Sequence, residues 1–381
     1  MSKVALIWPT FSFYHIARFR AVYAKLGDRA LGIELAGGGN VEDEVWRFTK
    51  RNGLPIITLF PDRGIRSIPQ KTLENTLIDT LKKHGVDTVF VNGYSSRESL
   101  AVINWAKRNA ARCYTFSETK KDDFKRSFLK ELVKKWIIKK LAGAICGGRL
   151  HKDYFVELGM PEDNIALGYD VVDNEFFKRA AELAVKNKDE NRARYKLPEK
   201  YFITCSRFVK KKNLDRLLSA YNMYRGLIPG RNPWGLVLVG QGPEEGRLKE
   251  KIAQENIDGV LFAGSQDPEG LAIYYGLASC FILASTTEQW GLVVNEAMAC
   301  GLPVLVSKIA GAADELVENG VNGYTFDPCD VKQIAGLMEK IDLMEPNTLK
   351  KMGTAAQEKI RPYSPDHFAE NLIKLISNQK T

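Results

Sequence analysis

The sequence predicts an α/β chain built from doubly wound, mostly parallel sheets. Three observations carry that prediction. Short apolar runs alternate with stretches of helical spacing, the alternation occurs in two series, and a charged, strand-free region separates them. In the first series, strands are expected at 4–8, 32–35, 56–59, 88–91, 112–116, 144–146 and 165–167, with helices at 11–26, 68–84, 97–108 and 124–141. The region 174–200 (NEFFKRAAELAVKNKDENRARYKLPEK) is charged and holds no strand pattern, so 175–200 is the best linker candidate. The second series places strands at 201–205, 236–239, 260–262, 281–283, 304–306 and 324–326. The expected division is a first domain over 1–174 and a second over 201–361, with an amphipathic tail stretch at 368–376.

A length of 381 residues suits two or three domains, each able to bury a core. The hydrophobic share of 45% and charged share of 27% are those of an ordinary soluble globular protein. No apolar run reaches membrane-spanning length, and MSKVALIW lacks a signal-peptide pattern, so a cytoplasmic setting is expected. Six scattered cysteines without a C-x-x-C pair read as buried thiols in a reducing compartment. Four histidines without clustered partners make a zinc site an unlikely design, and no metal is expected. The net charge of +9 admits nucleic acid, an anionic membrane surface, phosphorylated ligands or a plain solvated surface.

The most informative stretch is 280–326, CFILASTTEQWGLVVNEAMACGLPVLVSKIAGAADELVENGVNGYTF. The run 280–283 suits a buried parallel strand, 285–290 its exit loop, and 291–299 a helix with Leu292, Val293, Ala297 and Cys300 on one side. Gly301 supplies the stop and Pro303 opens the next strand. In such a unit a ligand sits beyond the strand's carboxyl end, where the helix begins. Gly291 and Leu292 would offer backbone N–H groups to an anion there. Glu288 and Glu296 flank that seat and can only accept hydrogen bonds, which suits hydroxyls on either side of a diphosphate. A plainer reading of the spacing also stands: Glu296 complements a helix start and Glu288 is a solvated loop charge.

The segment Glu288-Gln-Trp-Gly-Leu-Val-Val-Asn-Glu296, running into AMACGLPV, resembles the E-x7-E signature of retaining family 4 glycosyltransferases. A second segment, YFITCSRFVKKKNLD from Tyr201 to Asp215, is similar to the family's Arg/Lys pair through Arg207 and Lys212. The likeness covers 201–327 strongly and the remainder mainly in layout. It implies the GT-B architecture, two Rossmann-like domains facing a cleft, with the last helix (362–381) returning to the first domain. It also implies transfer of a hexose-type sugar, with retention, from a nucleoside diphosphate sugar to an acceptor hydroxyl in glycan, polysaccharide or glycolipid assembly. By the same likeness Arg207 and Lys212 hold the diphosphate, Glu288 orients the sugar hydroxyls, Glu296 grips the ribose, and Gly264 lies beside the base. Fixed cations at the leaving phosphate stabilise the transition state more than the ground state. No protein nucleophile is assigned, since the family's usual front-face scheme has a donor phosphate oxygen assist the acceptor. Lys210 and Lys211 read as solvated turn residues.

Elsewhere the signals are weaker. Gly240-Gln-Gly242 lacks the full dinucleotide fingerprint and reads as a tight turn. For the acceptor, lipid-linked, glycan or small-molecule, the candidates are His15, Tyr94 and Glu118, each just after an expected strand. The loop at 9–18 lacks the family's Gly pair, and Ser117 and Glu118 stand where relatives often present a His. The segment 168–176 is read as structural with some cleft exposure. The stretch 124–141 sets Phe124, Phe128, Leu132 and Trp136 at fourfold spacing among lysines. Packing of that face on its own domain is the favoured reading, and peripheral contact with a membrane is the alternative. Neither Asp122-Asp123 nor Asp170-Val-Val-Asp173 makes a metal-holding turn. Two other functions compete: a sugar-nucleotide epimerase of the same fold, needing no acceptor, and a non-catalytic polyanion binder. The latter predicts steeply salt-dependent nucleic-acid binding, which is not the expected partner.

Overall fold

A computed structural model describes residues 3–38, 51, 53–122 and 127–378. The chain divides into two compact units, 1–172 with 363–381, and 173–362.

The first unit is a seven-stranded parallel sheet in the order β3-β2-β1-β4-β5-β6-β7. Its strands are β1 (Lys3–Trp8), β2 (Ala30–Ala36), β3 (Ile56–Phe60), β4 (Val86–Asn92), β5 (Arg112–Ser117), β6 (Gly143–Cys146) and β7 (Ile165–Leu167). Each is a short apolar run because helices cover both faces, and the side chains alternate between two cores. Val4, Leu6 and Trp8 enter one core and Ala5 and Ile7 the other. The tail helix Pro365–Asn378 completes the first of these with Phe368, Ala369, Leu372 and Leu375. It is fastened by Arg112 Nη1, which donates to the Ile376 carbonyl at 2.8 Å, and by Asn371 Nδ2 on the Leu167 carbonyl at 2.9 Å.

The second unit is a six-stranded parallel sheet ordered β10-β9-β8-β11-β12-β13. These are β8 (Tyr201–Cys205), β9 (Gly235–Val239), β10 (Val260–Gly264), β11 (Cys280–Leu283), β12 (Val304–Ser307) and β13 (Gly323–Phe326). In both sheets the winding direction reverses once, between β1 and β4 and between β8 and β11. Such switch points open a crevice at the carboxyl ends of the two central strands.

Three expectations change. The stretch read as a linker is two helices, Asn174–Lys186 and Lys188–Tyr195, belonging to the second unit. In the first of them Phe177, Ala181 and Ala184 are buried along one side, while the second buries no residue. Helix Leu292–Ala299 is buried nearly all round, Asn295 and Glu296 included, and Leu292 and Val293 are its more open positions. The helix expected at 124–141 is described from Phe128 to Ile138, residues 123–126 lying outside the described residues. Its apolar face does not pack on the domain: Phe128, Leu129, Leu132, Val133 and Trp136 are exposed. Among the described residues no helix is long and apolar enough to cross a membrane.

Candidate active site

The switch point of the second sheet gathers most of the residues singled out above. Arg207 and Lys212 follow β8, and Glu288 follows β11, its neighbour in the sheet. The Lys212 ammonium donates to Glu288 Oε2, and Ser285 Oγ donates to the same oxygen at 3.0 Å. Both side chains are nearly enclosed, 14% and 12% exposed. Arg207 is exposed at the mouth of the same loop.

Local chemistry fixes this pairing. Lys210–Lys212 form one 3-10 turn, after which Asn213 takes a left-handed conformation with φ of 60° and starts helix Leu214–Leu227. Asn tolerates that region better than most residues. Its buried Nδ2 donates to the Ala284 carbonyl at 3.0 Å and the Pro328 carbonyl at 2.7 Å, tying the loops after β8, β11 and β13 together. The Thr286 N–H donates to the Lys211 carbonyl at 2.8 Å and adds a backbone stitch beside Lys212. Gly240 and Gly242 support the loop from below, where the Phe208 N–H donates to the Gln241 carbonyl at 2.8 Å. A Cβ at Gly240 would lie 2.0 Å from the Ser206 carbonyl oxygen, so this turn needs a glycine. Its role is that of a packed turn. Gly264 is exposed at the end of β10, the sheet edge, and its carbonyl accepts from the Gly240 N–H at 2.8 Å.

Gly291 caps helix Leu292–Ala299 in the left-handed region, φ 106°. The first N–H groups of a helix have no partner within it, and its dipole favours an anion there. Trp290 anchors the loop: it is buried, and its Nε1 donates to Asn295 Oδ1 at 2.9 Å. Glu296 is buried one turn in, its Oε2 accepting from the Tyr275 hydroxyl at 2.9 Å. Burial, and then the Glu296 charge, push the Cys205 thiol up to about 12, so it is un-ionised near neutral pH. The same two causes push Cys300 well above its ordinary value. Sequence reading missed Asn213, Tyr275, Ser285 and Asn295. Only Asn213 carried a local signal, as an Asn immediately before a helical pattern.

In the first unit His15, Tyr94 and Glu118 follow β1, β4 and β5. His15 stacks on Trp8 with centroids 4.8 Å apart, and its Nδ1 accepts from the Ser12 N–H at 3.2 Å. Burial first, then the Arg18 charge, lower its pKa to about 3, so the imidazole is neutral. Tyr94 is buried against Phe155, an aromatic ring that fills the core after a central strand. Glu118 is half-buried, and its charge acts on the Asp170 carboxyl. Asp170 lies in a buried run with Tyr169, Val171 and Val172, while Asp173, Asn174 and Phe176 are half-buried and Glu175 is exposed. Burial, and next the Glu118 charge, hold the Asp170 carboxyl well above the usual range, partly offset by Arg18. Arg18 is itself buried, 4.4 Å from the Tyr169 ring centroid, donating to the Val171 carbonyl at 3.2 Å. Among the described residues no group of three or more His, Cys, Asp or Glu is arranged to hold a metal ion.

Residues 186–359 match the model of a family described as glycosyl transferases group 1. N-acetyl-alpha-D-glucosaminyl L-malate synthase of Bacillus anthracis is 30% identical over 208 residues, 54% of this chain and 51% of that protein. A GDP-mannose-dependent alpha-(1-6)-phosphatidylinositol monomannoside mannosyltransferase of Mycobacterium tuberculosis is 31% identical over 179 residues, 44% of this chain and 45% of that protein. The chain thus spans about half the length of the curated relatives it matches. The crystal structure of Anabaena HepE in complex with UDP and glucose superposes with a TM-score of 0.75, covering 99% of this chain and 100% of that one at 17% identity. The fold is therefore GT-B, two Rossmann-like units, and the resemblance stated for the second unit lies inside the matched stretch.

Proposed function

We propose that this chain is a retaining glycosyltransferase of family 4 type, moving a hexose-type sugar from a nucleoside diphosphate sugar to an acceptor hydroxyl. The observation that supports it best is the Lys212–Glu288 pair at the β8/β11 switch point, beside the Gly291-capped helix. A cation, a helix N-terminus and a carboxylate in one crevice match a ligand that is anionic at one end and hydroxylated at the other. Lys212 and Arg207 neutralise the diphosphate as the glycosidic bond breaks, with the N–H groups of Gly291 and Leu292. Glu288 takes the sugar hydroxyls and Glu296, oriented by Tyr275, takes the ribose. The acceptor is deprotonated against a donor phosphate oxygen, with His15 and Glu118 as its candidate contacts. A neutral His15, its Nδ1 taken by the Ser12 N–H, carries its hydrogen on Nε2 and can donate to an acceptor hydroxyl oxygen. HepE was crystallised with UDP, and the mycobacterial relative is named for GDP-mannose, so both nucleotide series head the donor search.

The test is a thermal-shift panel of nucleoside diphosphates and their sugars, followed by product analysis. A ligand at a hundred times its Kd adds roughly 2.7 kcal/mol to the folded state. One series is expected to shift the wild type and to lose its effect in Lys212→Ala, whose kcat/KM falls about 10²–10³-fold. A panel with no shift, or a variant of wild-type rate, refutes the reading. Because side-chain cations and a helix N-terminus serve the diphosphate, the transfer needs no metal. EDTA is expected to leave the initial rate unchanged, and a loss restored by Mg²⁺ would contradict this. The reaction is proposed to occur in the cytoplasm or at its membrane face.

A further inference from the structure

Helix Phe128–Ile138 is mounted with its apolar side outward. Phe128 is 77% exposed, Leu129 71%, Leu132 47%, Val133 57% and Trp136 63%. At 3.6 residues per turn these five fill one continuous arc of about 140°. The opposite side holds polar contacts with the domain. Lys134 Nζ donates to Glu131 Oε1 at 2.9 Å and to the Tyr154 hydroxyl at 2.8 Å, and that hydroxyl donates to Glu131 Oε2 at 2.7 Å. Only Ile137 and Ile138 of this helix are buried. A contiguous apolar face of this size on a soluble domain marks an interaction surface.

The charges around the face select its occupant. Exposed Lys130 and Lys135 border the arc on its two sides, and exposed Lys139 follows at its end. Lys140 Nζ lies 3.3 Å from the Trp136 ring centroid. Residues 128–141 hold five lysines and one glutamate, and that glutamate is taken up by Lys134 and Tyr154. Two copies of this face brought together would oppose like charges, which disfavours self-association. Lysine stems lie along an apolar surface while their ammonium groups reach anions above it.

We propose that this face docks on an anionic phospholipid surface. The five apolar side chains enter the boundary of the acyl region, and Lys130, Lys135 and Lys139 meet lipid phosphates. The proposal stands apart from the donor reading, because every residue it uses belongs to the first unit.

The test is co-sedimentation of the full chain with vesicles of phosphatidylcholine alone and with phosphatidylglycerol in a roughly 7:3 ratio. Binding is expected to the anionic vesicles, weakened by salt, with little to the neutral ones. Leu132→Glu with Trp136→Glu is expected to lower partitioning about tenfold or more. Lys130→Glu with Lys135→Glu is expected to remove the preference for anionic lipid. Wild-type binding by the first pair, or no binding of the wild type to either vesicle, overturns the proposal. So does light scattering that finds a dimer lost in the first pair, which makes the face a contact between copies. Nucleotide thermal shifts, unchanged in both pairs, separate loss of this surface from loss of fold or of the donor site.

Discussion

His15 sits in an environment that its position at a helix start does not suggest. Its Nδ1 is an acceptor for the Ser12 N–H, its ring lies on Trp8, and burial with Arg18 holds its pKa near 3, below the ordinary 6.5. The folded state therefore resists a proton that the unfolded chain takes up readily. The stability this carries is complete above pH 6.5 and is lost as pH falls from 6.5 towards 3. His15→Gln is expected to flatten the dependence of unfolding on pH in that window. Urea titrations at several pH values would check this, and parallel wild-type and variant curves would contradict it. At the same scale Lys212, Glu288, Arg207 and Glu296 were legible as residue types at a spacing. Their partners were not: Ser285 meets Glu288 within one loop, and Tyr275 reaches Glu296 from a separate helix, contacts that no residue spacing announces.

At the scale of elements, the loop after β11 and helix Leu292–Ala299 act as one piece with Gly291 as the joint. A Cβ at Gly291 would meet Leu283 Cδ2 at 3.0 Å and Glu288 Cγ at 3.4 Å, in a backbone region that L side chains rarely adopt. Gly291→Ala is expected to cost about 1–3 kcal/mol. A melting temperature lowered by several degrees, with kcat/KM reduced because Glu288 must shift, is the expected outcome. A wild-type melting curve would show that the loop yields without cost. The helices of 174–195 teach the complementary point. Their charge made them look like a linker, yet Phe177, Ala181 and Ala184 are spaced to bury one side, and that spacing was present in the sequence.

For the whole molecule, two parallel sheets each reverse their winding once, and each reversal collects candidate residues at strand ends. The order of elements along the chain implied parallel sheets, since strands and helices alternate through most of both series. The net charge of +9 is not spread evenly. Part of it borders the exposed apolar face at 128–138, where the vesicle experiment bears on it, and part lies at the β8 loop with Arg207 and Lys212.

The sequence alone determined the strands described in the two units, their grouping in two series, and the residue types that meet between Arg207 and Glu296. Those features rest on local periodicity and on motifs within one βαβ unit. Only the tertiary structure decided three others. It joined Lys212 to Glu288 across 76 residues, it buried Tyr94 and Asp170, and it turned the apolar side of helix Phe128–Ile138 outward. Periodicity states that a helix has two faces. Which of them meets the domain depends on what the neighbouring elements present, here a Tyr154 hydroxyl that suits Glu131 and Lys134 better than it suits leucine.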